Sequence, residues 1–219
     1  MRKRDLIDMI EKGEALNCEF KLKFSSFEKM AKEIIAFANT SGGYVIIGVD
    51  DNRNIVGVES EKTETELINE TINNYCEPKI DISFEYFDIF GKEVVLVVIP
   101  ESKNKPHRIQ DYKSEMDIQT SQVYVRVNDK SVPASKEMIR VLRTGSSGLP
   151  LMKYSFGNLE KAVFNYLEKK ETISVKELAD EVNISQRRAS RTLVNLVRAG
   201  LLIIHSNDKG ENCFSGKQI

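Results

Sequence analysis

One short segment divides the chain into two parts. Residues 144–150 run Thr-Gly-Ser-Ser-Gly-Leu-Pro, a cluster of small residues and turn formers between two periodic segments. A chain of 219 residues with 41% hydrophobic content is long enough for two modest cores. We therefore predict an N-terminal domain over residues 1–143, a linker over 144–150 and a C-terminal domain over 151–219.

The charge balance differs between the two parts. The whole chain carries 32 basic and 33 acidic residues, so no global field attracts nucleic acid or an anionic membrane. Residues 151–219 nevertheless hold 11 basic and 8 acidic residues, against 21 and 25 in residues 1–150. Any binding to nucleic acid is therefore expected to be local and to involve the C-terminal part.

Two further features favour a cytoplasmic protein. No apolar run approaches the ~20 residues of a bilayer span, and residues 1–5 do not lead into a signal-peptide pattern. The three cysteines (Cys18, Cys76 and Cys213) have neither metal-ligand spacing nor the even count of a disulfide framework. We expect a reducing compartment and no membrane partner.

The N-terminal part alternates between helix and strand patterns. Residues 17–24 alternate so that Cys18 and Phe20 share one face of a strand, while Glu19 and Lys21 share a polar face open to solvent or a ligand. Helices are predicted over 5–12, 27–39, 63–75 and 135–143, and strands over 44–49, 55–58, 80–86, 93–99 and 123–127. Residues 101–122 show no period. The predicted fold class is α+β, that is, mixed α/β.

The C-terminal part has the order of a small DNA-binding module. Helices are predicted over 159–169, 175–182 and 185–199, followed by a hairpin whose turn spans 207–210. This order resembles winged helix-turn-helix DNA-binding domains over residues 157–215. The resemblance implies that the third helix enters the major groove of duplex DNA, and that a wing residue touches a neighbouring phosphate.

Several polar residues are predicted to face outward from that module. The spacing of the third helix sends Ala189 and Leu193 inward. The DNA-binding candidates are Gln186, Arg187, Arg188, Ser190 and Arg191 on the helix and Lys209 in the wing. The alternative is a solvated basic face on a protein-docking module.

The N-terminal part resembles the Schlafen AlbA-type domain, a family once grouped with divergent AAA-type ATPases. The motifs that carry the resemblance over residues 10–143 are Glu14-xxxx-Glu19-Phe-Lys21, residues 36–43 (AFANTSGG), residues 44–51 (YVIIGVDD), residues 55–57 (IVG), Lys105-Pro-His-Arg108, Tyr124-Val-Arg126 and residues 131–135 (SVPAS). Bacterial proteins that pair this domain with a winged helix are known as transcriptional regulators.

The resemblance also implies a second kind of activity. In some Schlafen members, carboxylates at the positions of Glu14, Glu19 and Asp50 form a divalent-metal nuclease site that cuts structured RNA, and Asp51 is a possible substitute for Asp50. Carboxylates that meet at one point bind Mg²⁺ or Mn²⁺ and activate water. Asp50 and Asp51 equally suit a hairpin turn, so the structural interpretation stays open.

Three other sequence features are candidates for a site. Gly42 and Gly43 lack the GxxxxGK[ST] pattern, so a tight turn is favoured over phosphate binding. His107 is either a general base or a loop residue. Arg126 either faces a nucleic-acid groove or pairs with an acid.

The predicted function is duplex DNA binding through the C-terminal winged helix, as a transcriptional regulator that requires no cofactor. The alternative is a nuclease that uses Mg²⁺ or Mn²⁺ and acts on RNA or DNA. Self-association is expected, because two half-sites multiply affinity.

Overall fold

The structure is a computed structural model that describes residues 1–146, 157–207 and 210–216. It forms two compact units, Met1–Pro133 and Ala134–Ile219, which are considered one at a time below. Residues 147–150, most of the segment predicted as a linker, lie outside the described residues. Among the described helices, none combines the length and apolar character that a bilayer crossing requires.

The first unit mixes helices and strands, as the sequence pattern predicts, and four of its strands form one sheet. Its elements are α1 (Lys3–Lys12), β1 (Cys18–Lys21), α2 (Phe27–Asn39), β2 (Gly43–Ile47), α3 (Glu61–Tyr75), β3 (Cys76–Glu77), β4 (Ser83–Ile89), β5 (Lys92–Ile99), β6 (Arg108–Ile109), β7 (Tyr124–Val127) and β8 (Lys130–Pro133). The sheet has the order β1-β2-β5-β4, in which only β1 and β2 are parallel.

Helices cover both faces of this sheet. Val45 and Ile47 of β2 pack with α2 and α3, whereas Ile46 between them packs with α1. Both faces of β2 and β5 are consequently apolar, which explains why these strands are continuous runs of Val and Ile in the sequence. Two short antiparallel ladders, β3–β6 and β7–β8, lie outside the main sheet.

The second unit is a helical module with a hairpin. Its elements are α4 (Lys136–Ser146), α5 (Asn158–Leu167), α6 (Val175–Glu181), α7 (Gln186–Arg198), β9 (Leu202–Ser206) and β10 (Asn212–Gly216). Leu178, Leu193 and Phe214 are among the fully buried side chains of its core. A backbone bridge between Ile173 and Phe214 ties the segment before α6 to the hairpin, as in a winged helix.

Helix α4 is part of this second unit. Its start agrees with the sequence prediction, because the Ser135 hydroxyl accepts a hydrogen bond from the Met138 amide at 3.1 Å. Its apolar residues Ile139 and Leu142 are buried.

Candidate functional site

Helix α7 has a defined start and one buried side. The Ser185 hydroxyl caps it by accepting a hydrogen bond from the Arg188 amide at 3.3 Å. Ala189, Leu193 and Leu196 are completely buried in the core of the module, as their spacing predicts. The opposite side of the helix is therefore fixed toward solvent.

The exposed side of α7 is cationic. Gln186, Arg187, Arg188 and Arg191 are all exposed, which confirms their predicted outward orientation. The 13 residues of α7 include no Asp or Glu. In the part of the chain that the structure describes, the guanidinium groups of Arg187, Arg188 and Arg191 have no ion-pair partner, so they can meet phosphate oxygens or base edges.

The predicted outward orientation of Ser190 is wrong. This residue is only 6% exposed, because helix α4 packs beside it. Its hydroxyl donates to Glu137 Oε1 at 2.5 Å and accepts from Arg140 Nη1 at 3.1 Å. Ser190 thus joins α7 to α4 and is not presented to a nucleic acid.

The wing is a regular antiparallel hairpin. Strands β9 and β10 pair from Leu202 opposite Gly216 to Ser206 opposite Asn212. The Gly210 amide closes the turn on the Asn207 carbonyl at 2.8 Å. Lys209, the predicted wing contact, lies outside the described residues.

Glu19 in the first unit lies in a buried ion-pair network. Its carboxylate accepts from Arg126 Nη1 at 2.8 Å and from Lys21 Nζ at 2.5 Å. The same Arg126 nitrogen is 3.2 Å from Glu33, to which Ser131 also donates. Glu19 on the polar face of β1 is therefore covered, contrary to the predicted openness of that face.

Arg126 is the centre of this network. Its side chain is fully buried, and its Nη2 donates to the Ala15 carbonyl at 2.8 Å. The guanidinium carbon lies 4.5 Å from the centre of the Phe37 ring. Of the two predicted roles for Arg126, the structure confirms pairing with acids.

Glu14 lies near Glu19 but has its own partner. Its Oε1 accepts a hydrogen bond from the Phe20 amide at 2.9 Å. Partial withdrawal from water raises the pKa of Glu14, and the negative charges of Glu19 and Asp51 add to this. Asp51, named above as a substitute for Asp50, is thus the aspartate whose charge acts on Glu14.

Asp50 stabilises a turn. One of its carboxylate oxygens accepts from the amides of Asn52 and Asn54 at 2.9 and 2.8 Å, and the other accepts from the Asn54 side chain. These hydrogen bonds, above all those from Asn54, lower the pKa of Asp50. The hairpin-turn interpretation of this segment is confirmed.

The structure does not assemble the predicted carboxylates into a cation site. Across residues 1–146, 157–207 and 210–216, no group of three His, Cys, Asp or Glu side chains could hold a metal ion. Glu19 is already neutralised by two cations, and Asp50 is satisfied by its own turn. As placed, this set of donors does not fit Mg²⁺ or Mn²⁺.

The remaining candidates have structural roles. At Gly43 a Cβ atom would lie 2.5 Å from Phe37 Cδ1, and Gly42 has a φ of +73°, which supports the predicted tight turn between α2 and β2. His107 is a buried loop residue whose amide donates to Asn39 at 2.7 Å and whose Nδ1 lies 2.7 Å from the Pro78 carbonyl. Burial lowers the pKa of His107.

The sequence pattern did not single out Glu137 and Arg140 as neighbours of α7. The helical spacing of the basic and apolar residues of α4 is visible in the sequence. The packing of α4 on α7 is a long-range contact, which periodicity cannot reveal.

Comparison with known proteins gives several matches. An uncharacterised ATP-binding protein of Ureaplasma parvum serovar 3 is 35% identical over 82 residues, which are 35% of this chain and 23% of that protein. Among solved structures, a Corynebacterium diphtheriae protein gives a TM-score of 0.43 at 18% identity, covering 70% of this chain and 33% of the other. The N-terminal domain of a RecG-related protein from Nitrosomonas europaea gives 0.44 at 23% identity, covering 59% and 92%.

Two family models match consecutive parts of the chain. The winged helix-turn-helix DNA-binding model matches residues 158–203, from α5 to the first wing strand. The Schlafen AlbA_2 model matches residues 14–135, more than half of the chain, and this range contains the whole Glu19–Arg126 network. The chain therefore belongs to the Schlafen AlbA_2 family and carries a winged helix-turn-helix domain after the family domain.

Proposed function

We propose that this protein binds duplex DNA through helix α7 and acts as a transcriptional regulator. The observation that carries the proposal is the exposed cationic side of α7, with Arg187, Arg188 and Arg191 held on a helix whose other side is buried. The match to a winged helix DNA-binding model supports the same conclusion.

The first turns of α7 supply the groups that DNA recognition needs. Arginine forms bidentate hydrogen bonds with guanine O6 and N7, and glutamine does so with adenine N6 and N7. Gln186, Arg187 and Arg191 are the candidates for these contacts. Arg188 is better suited to a phosphate, which positions the helix without specifying sequence.

The experiment compares duplex binding by the wild type and by the double variant Arg187→Ala/Arg191→Ala. Both residues are exposed, so folding should be unaffected. We expect the variant to lose most of its affinity, because each base contact contributes about 1–3 kcal/mol. Lys161→Ala/Lys169→Ala, two exposed cations elsewhere in the same unit, is the matched control.

Regulation requires sequence preference as well as affinity. Duplexes that the wild type recovers from a random pool should share a sequence motif. Duplexes that the Arg187→Ala/Arg191→Ala variant recovers should lack this motif. A palindromic motif would support the self-association that we propose. Equal recovery of all sequences would leave DNA binding intact but overturn the regulatory role.

The nuclease alternative has a direct test. We propose a non-enzymatic role, because Glu19 is neutralised by Arg126 and Lys21 and the carboxylates do not form a cation site. Incubation with structured RNA and duplex DNA, with Mn²⁺ or with chelator, should leave both intact. Metal-dependent cleavage that is lost in Glu14→Gln or Glu19→Gln would contradict this proposal.

A further inference from the structure

Helix α4 lies against the flank of α7, next to its cationic side. Three side chains connect the two helices: Glu137 Oε1 accepts from Ser190 at 2.5 Å, Arg140 Nη1 donates to Ser190 at 3.1 Å, and Arg140 Nη1 lies 3.3 Å from Glu137 Oε1. Val194, one helical turn beyond Ser190, is also buried.

This contact places Arg140 beside the predicted DNA-binding residues. Ser190 precedes Arg191 directly and follows Arg187 by three positions, which is the spacing of neighbours on a helix surface. Arg140 hydrogen-bonds to Ser190, so its charge lies on the flank of the strip formed by Arg187 and Arg191. The side chain of Arg140 remains 41% exposed.

Arg140 belongs to a basic stripe along α4. Lys136, Arg140 and Arg143 are spaced i, i+4 and i+7, which puts them on one side of the helix, and Lys136 and Arg143 are exposed. The apolar residues Ile139 and Leu142 are buried. Glu137 is the one acidic residue of α4, and it is bound to Ser190 and Arg140.

We infer that α4 extends the DNA-binding surface, and that Arg140 and Arg143 contact the phosphate backbone beside the groove that α7 enters. The partner is duplex DNA, because a positive stripe that continues the cationic side of α7 complements a regular array of phosphates. The inference rests on the proposed function.

Glu137 and Ser190 are positioning residues in this arrangement. Their hydrogen bonds fix the angle of the Arg140 side chain before DNA arrives, which reduces the conformational entropy lost on binding. Ser190 acts on the nucleic acid only through Arg140.

The test measures duplex affinity at several salt concentrations for Arg140→Gln, Arg143→Gln and the pair combined. Glutamine at position 140 retains a donor for Ser190 and Glu137 while removing the charge, and Arg143 is exposed, so the fold should persist. Each single change should lower the slope of log K against log salt by about one, and the pair by about two. The control Lys161→Gln removes one exposed charge from α5 and should leave the slope unchanged.

The outcomes separate the inference from the proposed function. Slopes for Arg140→Gln and Arg143→Gln that equal the Lys161→Gln slope would overturn the role of α4, while continued sensitivity to Arg187→Ala/Arg191→Ala would keep the proposed function. A wild type that does not bind duplex DNA would overturn both. For Ser190→Ala we expect weaker binding with an unchanged slope, since the charge remains; a changed slope would contradict the positioning role.

Discussion

At the scale of single residues, a fully buried charge is held by many interactions in the first unit. Arg126 is fully buried and satisfied by two carboxylates, a hydroxyl and two backbone carbonyls, with the Phe37 ring against its guanidinium. Desolvation of such a group is offset only while all its partners are present. The network therefore makes the position of β7 depend on β1 and α2.

Removal of the Arg126 charge should be strongly destabilising. In Arg126→Met the buried carboxylate of Glu33 loses its counter-charge and Glu19 keeps only Lys21, so the free energy of unfolding should fall by about 3–5 kcal/mol. Urea titration measures this loss. Arg126→Lys should not restore stability, because one ammonium cannot replace the planar fork of donors.

A matched variant separates charge burial from packing. In Arg126→Met/Glu19→Gln/Glu33→Gln the uncompensated charges are gone, so much of the stability should return. A triple variant as unstable as Arg126→Met would show that packing, not charge, explains the effect.

The raised pKa of Glu14 predicts how the stability of the folded protein depends on pH. Its pKa in the folded protein lies above the ordinary value of 4.5, mainly because of desolvation. The stability linked to its protonated form is therefore present below pH 4.5 and is lost as the pH rises through the folded pKa. Gln at this position retains an acceptor for the Phe20 amide without the charge.

The variant Glu14→Gln should accordingly be more stable than the wild type at pH 7, and this advantage should shrink as the pH falls through the folded pKa and be lost below pH 4.5. Thermal unfolding at a series of pH values measures the difference. An advantage that grows toward acidic pH would have the wrong sign for a raised pKa and would refute the assignment.

These residues show the limit of prediction from sequence. The alternation of residues 17–24 correctly predicts that Cys18 and Phe20 share a buried face. It cannot predict that Glu19 is covered, because its partner Arg126 is 107 residues away in the chain. Ser190 was misplaced for the same reason, since α4 covers it.

At the scale of elements, the helices followed the sequence pattern more closely than the strands. Helix α2 has the predicted bounds of 27–39, because apolar periodicity and the Ser26 cap agree. Strand β8 was not predicted, since Pro133 ends it and its pairing with β7 depends on a turn at Asn128, which has a φ of 54°. Two-residue strands such as β6 carry too little period to detect.

The turn between α2 and β2 gives a prediction at this scale. Gly43→Ala should lower the free energy of unfolding by about 1–3 kcal/mol, because the new methyl group would meet the Phe37 ring and the Asn17 carbonyl. Chemical denaturation checks the value. Gly216→Ala, where the surrounding space is open, is the control; equal effects would rule out the steric explanation.

The start of α7 gives another prediction. Ser185→Ala removes the side-chain acceptor for the Arg188 amide and should destabilise the second unit by about 1 kcal/mol. Ser185→Asp, which keeps an acceptor and suits the positive end of the helix dipole, should retain stability. A loss of equal size in both variants would show that this hydroxyl is not an effective cap.

At the scale of the whole molecule, the sequence predicted two parts and the family of each. The Schlafen AlbA_2 and winged helix models match in the predicted order, and the fold class is mixed helix and strand as expected. Assignment of α4 to the second unit could not be predicted, because it depends on side-chain packing between α4 and α7.

DNA binding through α7 is measured most directly by cross-linking the full chain to photoreactive duplex DNA and identifying the attached peptides by mass spectrometry. We expect adducts at residues 186–191 of α7, and loss of those adducts in Arg187→Ala/Arg191→Ala. Adducts confined to residues 1–133, unchanged in that variant, would contradict DNA binding through α7.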